Sequence, residues 1–144
     1  MAKKTQVFRV SIYLKRKEGL SVEEFNRYWS EIHGPLVRPL IQKYGILKYT
    51  QYHTSDTLQQ SAIDAYPDLK SLSLTPYDGV AEFIVKDMAD IRKSQEDPFY
   101  LNEVRNDEAN FFDVSGAHWT IGWEEVYVED NKLVPESQIR LNAP

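Results

Sequence analysis

Few residues in this chain can do chemistry near neutral pH. There are three histidines, His33, His53 and His118, and no cysteine. The missing cysteine removes thiolate nucleophiles, disulfides and sulfur-ligated metals together. No two histidines have the close spacing of a metal site, so no metal is expected. The chain also lacks a glycine-rich phosphate loop and a Gly-x-Ser-x-Gly elbow, so no cofactor and no serine hydrolysis are expected. What remains is histidine, tyrosine and carboxylate chemistry. An imidazole titrates near neutrality, so it can take a proton from a carbon beside a carbonyl and return one to a leaving hydroxyl. A tyrosine hydroxyl can hold the enolate oxygen as it gains charge. Tyr13, Tyr49, Tyr52 and Tyr77 are candidates for that role or for aromatic walls, and Trp29 for a pocket wall. Asp64, Asp78 and Glu82 could orient a histidine, although a loop carboxylate is more often simply solvated.

Each histidine also has a plain structural reading. His33 stands where Gly34-Pro35 is expected to stop a helix, a position where histidine commonly meets free carbonyls. His53 ends a strand beside a long loop and can be an exposed loop residue. His118 opens the last strand with a parity opposite to Trp119 and Trp123, at a sheet edge or at a pocket mouth.

The elements that must position these groups follow from periodicity. Gln6 to Lys15 alternates, with Phe8, Val10, Ile12 and Leu14 expected to face covering helices and a mixed, partly polar set on the other face. Ser21-Val-Glu-Glu24 is a capping box that starts a helix running to about Ile32. Phe25, Trp29 and either Ile32 or His33 then share one face. Gly34-Pro35 is expected to break that helix, with a second, kinked piece from Leu36 to Tyr44 and a stop at Gly45. A strand is expected from Ile46 to about His53.

Thr54 to Pro76 shows little periodicity, and Leu69, Leu72 and Leu74 are too apolar for a solvated linker, so a lid that packs back on the domain is expected. Within it Ser61 to Tyr66 has the makings of one helical turn. Val80 to Val85 is a third strand and Asp87 caps a short helix through about Gln95. Asp97-Pro98 starts another helical segment through Val104. Asn106 to Asp113 reads as polar chain around Phe111-Phe112. A fourth strand is expected over His118 to Val128, with a mobile tail or swapped arm over about 130–144.

That order is β-α-β-β-α-β, a ferredoxin-like α+β fold with a four-stranded antiparallel sheet, in a chain long enough for one domain spanning 1–144. Two helices cover one sheet face and leave the other bare, which predicts a homodimer. A net charge of -5 without a basic run argues against nucleic acid. No apolar run reaches membrane-spanning length and the N-terminus has no signal-like segment, so a cytoplasmic protein that does not engage membranes is expected. Eighteen aromatic residues, nine of them tyrosine, exceed what a core of this size needs and suggest a lined pocket for an aromatic small molecule.

Three stretches carry a family resemblance. Lys15-Arg-Lys-Glu-Gly-Leu-Ser-Val-Glu-Glu-Phe25, Tyr28-Trp-Ser-Glu-Ile-His-Gly-Pro-Leu36 and Tyr49-Thr-Gln-Tyr-His53 resemble the EthD family of the dimeric α/β-barrel superfamily. Tyr77-Asp-Gly-Val-Ala-Glu-Phe83 and Asp97-Pro-Phe-Tyr100 extend it more loosely. The resemblance implies a small cofactor-free protein whose sheets pair into a barrel in a homodimer. Its long lid and Asp97-Pro98 segment are similar to fungal enzymes that dehydrate, decarboxylate, cyclise or oxidise phenolic polyketides. It therefore implies a lyase acting on an aromatic polyketide, a dehydratase first and a decarboxylase or cyclase second, with a cofactor-free oxygenase or a dimeric carrier as further alternatives. His33 is implied as general acid/base, with His118 or His53 as its partner.

Overall fold

The computed structural model describes residues 7–68 and 76–139. Strands β1 (Phe8–Leu14), β2 (Lys48–His53), β3 (Gly79–Val85) and β4 (His118–Gly122) form one antiparallel sheet in the order β2-β3-β1-β4. The helices between them lie on one face, so the ferredoxin-like fold expected from the element order is the one observed. The alternation in β1 holds: Val10 and Leu14 are buried, while Arg9 reaches Glu82 and Glu124 on the other face.

The helical layer departs from expectation at the proline. Helix α1 (Val22–Tyr28) begins at the capping box, where Ser21 Oγ accepts from the Glu24 amide at 3.1 Å and Glu24 Oε2 accepts from the Ser21 amide at 2.8 Å. The chain then does not stop at Gly34-Pro35. It passes through a widened turn over Trp29–His33 and continues as helix α2 (Gly34–Lys43), with Gly34 in ordinary helical conformation at φ -53°, ψ -53°. The Gly34 amide donates to the Trp29 carbonyl, five residues back rather than four. That wider closure makes room for a ring that would collide with the carbonyl four residues earlier in a regular helix. It also advances each residue less around the axis. His33 consequently turns inward and is buried, whereas Ile32 is 49% exposed. The Tyr44-Gly45 stop is as expected, with Gly45 at φ +70°.

A second widened turn follows the same logic. Helix α4 (Ala89–Glu96) ends at Asp97, whose Oδ1 accepts from the Phe99 amide at 2.8 Å. The segment starting at Pro98 does not end at Val104. It widens over Tyr100–Val104 and runs on as helix α5 (Arg105–Glu108). Residues 106–108, read from sequence as polar loop, are therefore helical. Asp97 Oδ2 accepts from Lys43 Nζ at 2.7 Å and Tyr44 Oη at 2.6 Å, tying the two helical strings together. Those bonds hold its carboxyl at about 2.

Burial of Phe25, Trp29 and Phe111 seals the layer to the sheet through Leu14 and Ala81. Phe111 touches Phe25 at 5.7 Å and Tyr28 at 5.3 Å between ring centres. Gly79 lets Trp29 lie against the sheet: a β-carbon there would stand 2.5 Å from the indole.

Two further expectations change. Strand β4 is half its expected length, because its pairing with β1 ends at Arg9 opposite Gly122 and the chain then leaves the sheet. Helix α3 (Asp56–Ala65) fills much of the expected lid with ten helical residues rather than one turn, yet none of them is buried. The start of the lid is tied to the domain, where Thr54 Oγ1 donates to the Asp78 carbonyl at 2.7 Å, and Gln59, Ala62 and Ile63 are half-buried; Leu69, Leu72 and Leu74 lie outside the described residues. Past Glu125 the chain forms a small hairpin, β5 (Val128–Glu129) and β6 (Lys132–Leu133), then a helical turn α6 (Glu136–Ile139). Asp130 and Asn131 both take positive φ, as a two-residue hairpin loop requires. Among the described residues no helix is long and apolar enough to cross a membrane.

Candidate active site

Between the sheet and the helical layer lies a cavity of about 200 Å³. Its walls are mostly apolar, from Ile12 and Leu14 of β1, Phe83 of β3, Val37 and Leu40 of α2, and Trp119 of β4. Into this setting project His33, Tyr49, Tyr100 and Glu108. An apolar cavity with a few convergent titratable groups is the usual form of a small-molecule site.

His33 arrives on the first widened turn and is held from the second string. Its Nδ1 lies 2.9 Å from Asp107 Oδ2, and the Phe111 ring packs against the imidazole at 4.9 Å. Asp107 is itself held, since its Oδ1 accepts from Tyr28 Oη at 2.5 Å and Asn110 donates to that hydroxyl at 3.1 Å. A carboxylate only accepts, so Nδ1 carries the proton and Nε2 is left as the basic atom. Nε2 makes no hydrogen bond among the described residues. Burial pulls the His33 pKa below its ordinary value, with Asp107 pulling the other way. The imidazole is thus neutral at pH 7 and able to accept a proton.

Glu108, one residue further along the same helix, has the complementary character. Burial pushes its carboxyl up to about 7, with its hydrogen bond from Tyr100 opposing the rise. Tyr100 Oη lies 3.2 and 3.3 Å from the two carboxylate oxygens and is pushed upward by burial and by that charge. Glu108 can therefore hold a proton at neutral pH and give it up. Tyr49 is likewise raised by burial, and the Glu108 charge reaches it.

The other residues expected at the site lie elsewhere. His118 pairs with Tyr13 across β1 and β4, on the sheet face away from the cavity. There it hydrogen-bonds Tyr77 Oη, while Tyr77 packs on Tyr13 at 5.3 Å. His33 and His118 are separated by the sheet. His53 is on the cavity side of β2 but lies behind the Trp29 indole, 4.7 Å from its centre, with its nitrogens 2.9 Å from Asn26 Oδ1 and Gln51 Oε1. Tyr52 faces away and is 59% exposed. Of the expected set, His33, Trp29 and Tyr49 line the cavity. Asp78 instead binds Arg16, Glu82 binds Arg9 and Asp64 binds Gln60. The carboxylates that do meet the site, Asp107 and Glu108, were missed because residues 106–113 lack a regular helical period. The one available signal was the pair of adjacent acids followed by Phe111-Phe112, which together suit a helix end entering a core.

Groups with shifted pKa values leave a mark on stability. Glu108 ionises near 7 in the fold but near 4.5 when unfolded, so between those values the native state holds the extra proton and stability falls as pH rises. His33 works in the opposite direction, since its lowered pKa costs stability as pH drops below about 6.5. Glu108→Gln should therefore gain roughly 2 kcal/mol more at pH 8 than at pH 5, read by urea unfolding at both values. An equal effect at both would contradict the burial of this carboxyl.

Comparison with known proteins agrees with this architecture. The EthD domain model matches residues 17–115. "Dehydratase aurZ" of Gibberella zeae is 32% identical over 127 residues, covering 88% of this chain and 83% of that protein. "Conidial pigment biosynthesis dehydratase EthD" of Metarhizium robertsii is 31% identical, covering 91% and 92%. "Decarboxylase claH" of Passalora fulva is 29% identical, covering 83% and 77%. Among solved structures, an EthD-like protein from Ralstonia eutropha JMP134 superposes with a TM-score of 0.53 at 16% identity, covering 83% of this chain and 92% of its own. A protein from Bacteroides fragilis, described as dimeric and ferredoxin-like, has a TM-score of 0.53 at 10% identity, covering 80% and 93%. The relatives bear the names of dehydratases and decarboxylases, and this chain belongs to the EthD family.

Proposed function

We propose that the protein is a dehydratase acting on a hydroxylated aromatic polyketide, with His33 and Glu108 as its acid/base pair. One observation carries the reading: His33 and Glu108 line the same mostly apolar cavity, where burial lowers the pKa of the imidazole and raises that of the carboxyl to about 7. A β-hydroxy ketone fused to a phenolic ring has the atoms that this pair handles. His33 Nε2 takes the proton from the carbon between carbonyl and carbinol, and the electron pair moves onto the carbonyl oxygen. Tyr49 donates to that oxygen as it gains charge. Collapse of the enolate forms the new double bond and expels the hydroxyl, which leaves as water with the proton of Glu108. Transfer of the His33 proton back to Glu108, through solvent or directly, resets both groups. Asp107 holds the imidazole in the useful tautomer and steadies the imidazolium between the two steps.

The names of two relatives, dehydratases of 32% and 31% identity, support this reaction above the alternative. A decarboxylase reading is supported by the relative so named and by the mostly apolar cavity, which favours release of a carboxylate as neutral carbon dioxide. In that version Glu108 protonates the carbanion left behind. Product mass separates the two, since one loses water and the other carbon dioxide.

The bare sheet face is proposed to pair with a second copy, as the dimeric description of one structural neighbour suggests for that protein. Sedimentation at micromolar concentration should show a species of twice 16.8 kDa, and a monomer would contradict it. The activity test is direct. With a phenol-fused β-hydroxy ketone as substrate, His33→Ala should lower kcat/KM by about 100-fold or more. Glu108→Gln should lower kcat and remove the fall in rate above pH 7. A folded His33→Ala protein within twofold of the parent would overturn the assignment.

A further inference from the structure

Tyr49 is turned into a one-way donor by the groups behind it. Gln51 Nε2 lies 3.1 Å from the Trp29 carbonyl oxygen and 2.9 Å from Tyr49 Oη. A backbone carbonyl can only accept, so the amide end facing it must be the nitrogen, and the orientation of Gln51 is fixed. The same nitrogen therefore donates to the Tyr49 oxygen. Burial pushes the Tyr49 pKa up, and this bond from Gln51 opposes the rise. With its oxygen accepting from Gln51, the phenol has its own proton left to give, and Tyr49 lines the cavity.

The groups behind Gln51 do not themselves fix its orientation, because a neutral imidazole carries one proton and can donate to only one of the two amide oxygens that face His53. Gln51 Oε1 faces His53 Nε2 at 2.9 Å, and His53 Nδ1 faces Asn26 Oδ1 at 2.9 Å. Asn26 is fixed in turn, because its Nδ2 donates to the Thr54 carbonyl at 2.7 Å. Every amide in this row is held by a group that accepts only. The Trp29 carbonyl that anchors Gln51 belongs to the widened turn that also delivers His33.

We infer that Gln51, anchored on the Trp29 carbonyl, is a polarity-setting group that makes the cavity select ligands with a carbonyl oxygen at Tyr49, over ligands of the same shape without one. Gln51 is a positioning residue in this account and acts through Tyr49. The inference rests on the proposed reading of the cavity as the site for a phenolic ketone, and it adds the rule by which that site recognises its ligand.

Two bicyclic probes of similar size test it. 6-Hydroxy-1-tetralone carries the carbonyl, and 5,6,7,8-tetrahydro-2-naphthol lacks it. Titration against tryptophan fluorescence gives a Kd for each. The parent protein should bind the ketone about five- to tenfold more tightly, the worth of one neutral hydrogen bond in a dry site. Tyr49→Phe should abolish that preference. Gln51→Glu should abolish it too while leaving the naphthol unchanged, because a carboxylate at that position accepts the phenol proton and withdraws it from the cavity. Gln51→Met, which removes the donor without adding charge, is expected to fall between and serves if the first variant does not fold. In the double variant Tyr49→Phe, Gln51→Met the ratio should match Tyr49→Phe alone. An unchanged ketone preference in both Gln51 variants, or equal weakening of both probes, would overturn the inference and leave the cavity reading standing. Failure of both probes to bind the parent would overturn the cavity reading and the inference with it.

Discussion

The hydrogen bond from His33 to Asp107 joins two helical strings that are 74 residues apart in sequence, and the rest of the site depends on it. It forms only because each string contains a widened turn. In the first, closure from Gly34 to Trp29 carries the chain past Pro35 and swings His33 inward. In the second, closure from Arg105 to Tyr100 lets the helix run on until Asp107 and Glu108 reach the cavity. Turns of this kind are uncommon and concentrate at functional sites, because they shift side-chain direction without breaking the helix. Here one pair of them brings His33, Asp107 and Glu108 together.

The cavity walls then decide what those groups become. Removed from water, His33 loses affinity for a proton and Glu108 gains it. The two shifts suit an imidazole and a carboxyl to opposite roles at one pH: the first deepens a neutrality that histidine already leans to in water, and the second reverses the ionised state of a free carboxyl. Phe111 is central to this environment: it is fully buried and packs on His33. Packing, in this sense, sets the proton chemistry.

Much of the scaffold was legible in the sequence. Strict alternation in β1, the Ser21 capping box and the stop at Gly45 each follow from a local rule, and the element order then leaves one sensible topology. The match of the EthD domain model over residues 17–115 agrees with the resemblance read from the His33-Gly-Pro-Leu36 stretch. The histidine partnership was not legible in the same way. Strand parity already put His118 opposite the tryptophans, and the cavity lies on the tryptophan side. His53 has the right parity, but a residue as large as Trp29 screens it. The carboxylates were hidden for a different reason. A widened turn breaks the 3.6-residue period by one position, so a pattern rule ends the helix at Val104, just before the residues that matter.

The proposed chemistry needs a neutral His33 whose proton sits on Nδ1, facing Asp107, with Nε2 left as the basic atom. Nitrogen-15 chemical shifts of the His33 ring, followed from pH 5 to 8, report this state directly. Nδ1 should be protonated and Nε2 unprotonated at pH 7, with the ring titrating below 6.5 and falling further in Asp107→Asn. An imidazolium at pH 7, or the proton on Nε2, would contradict it.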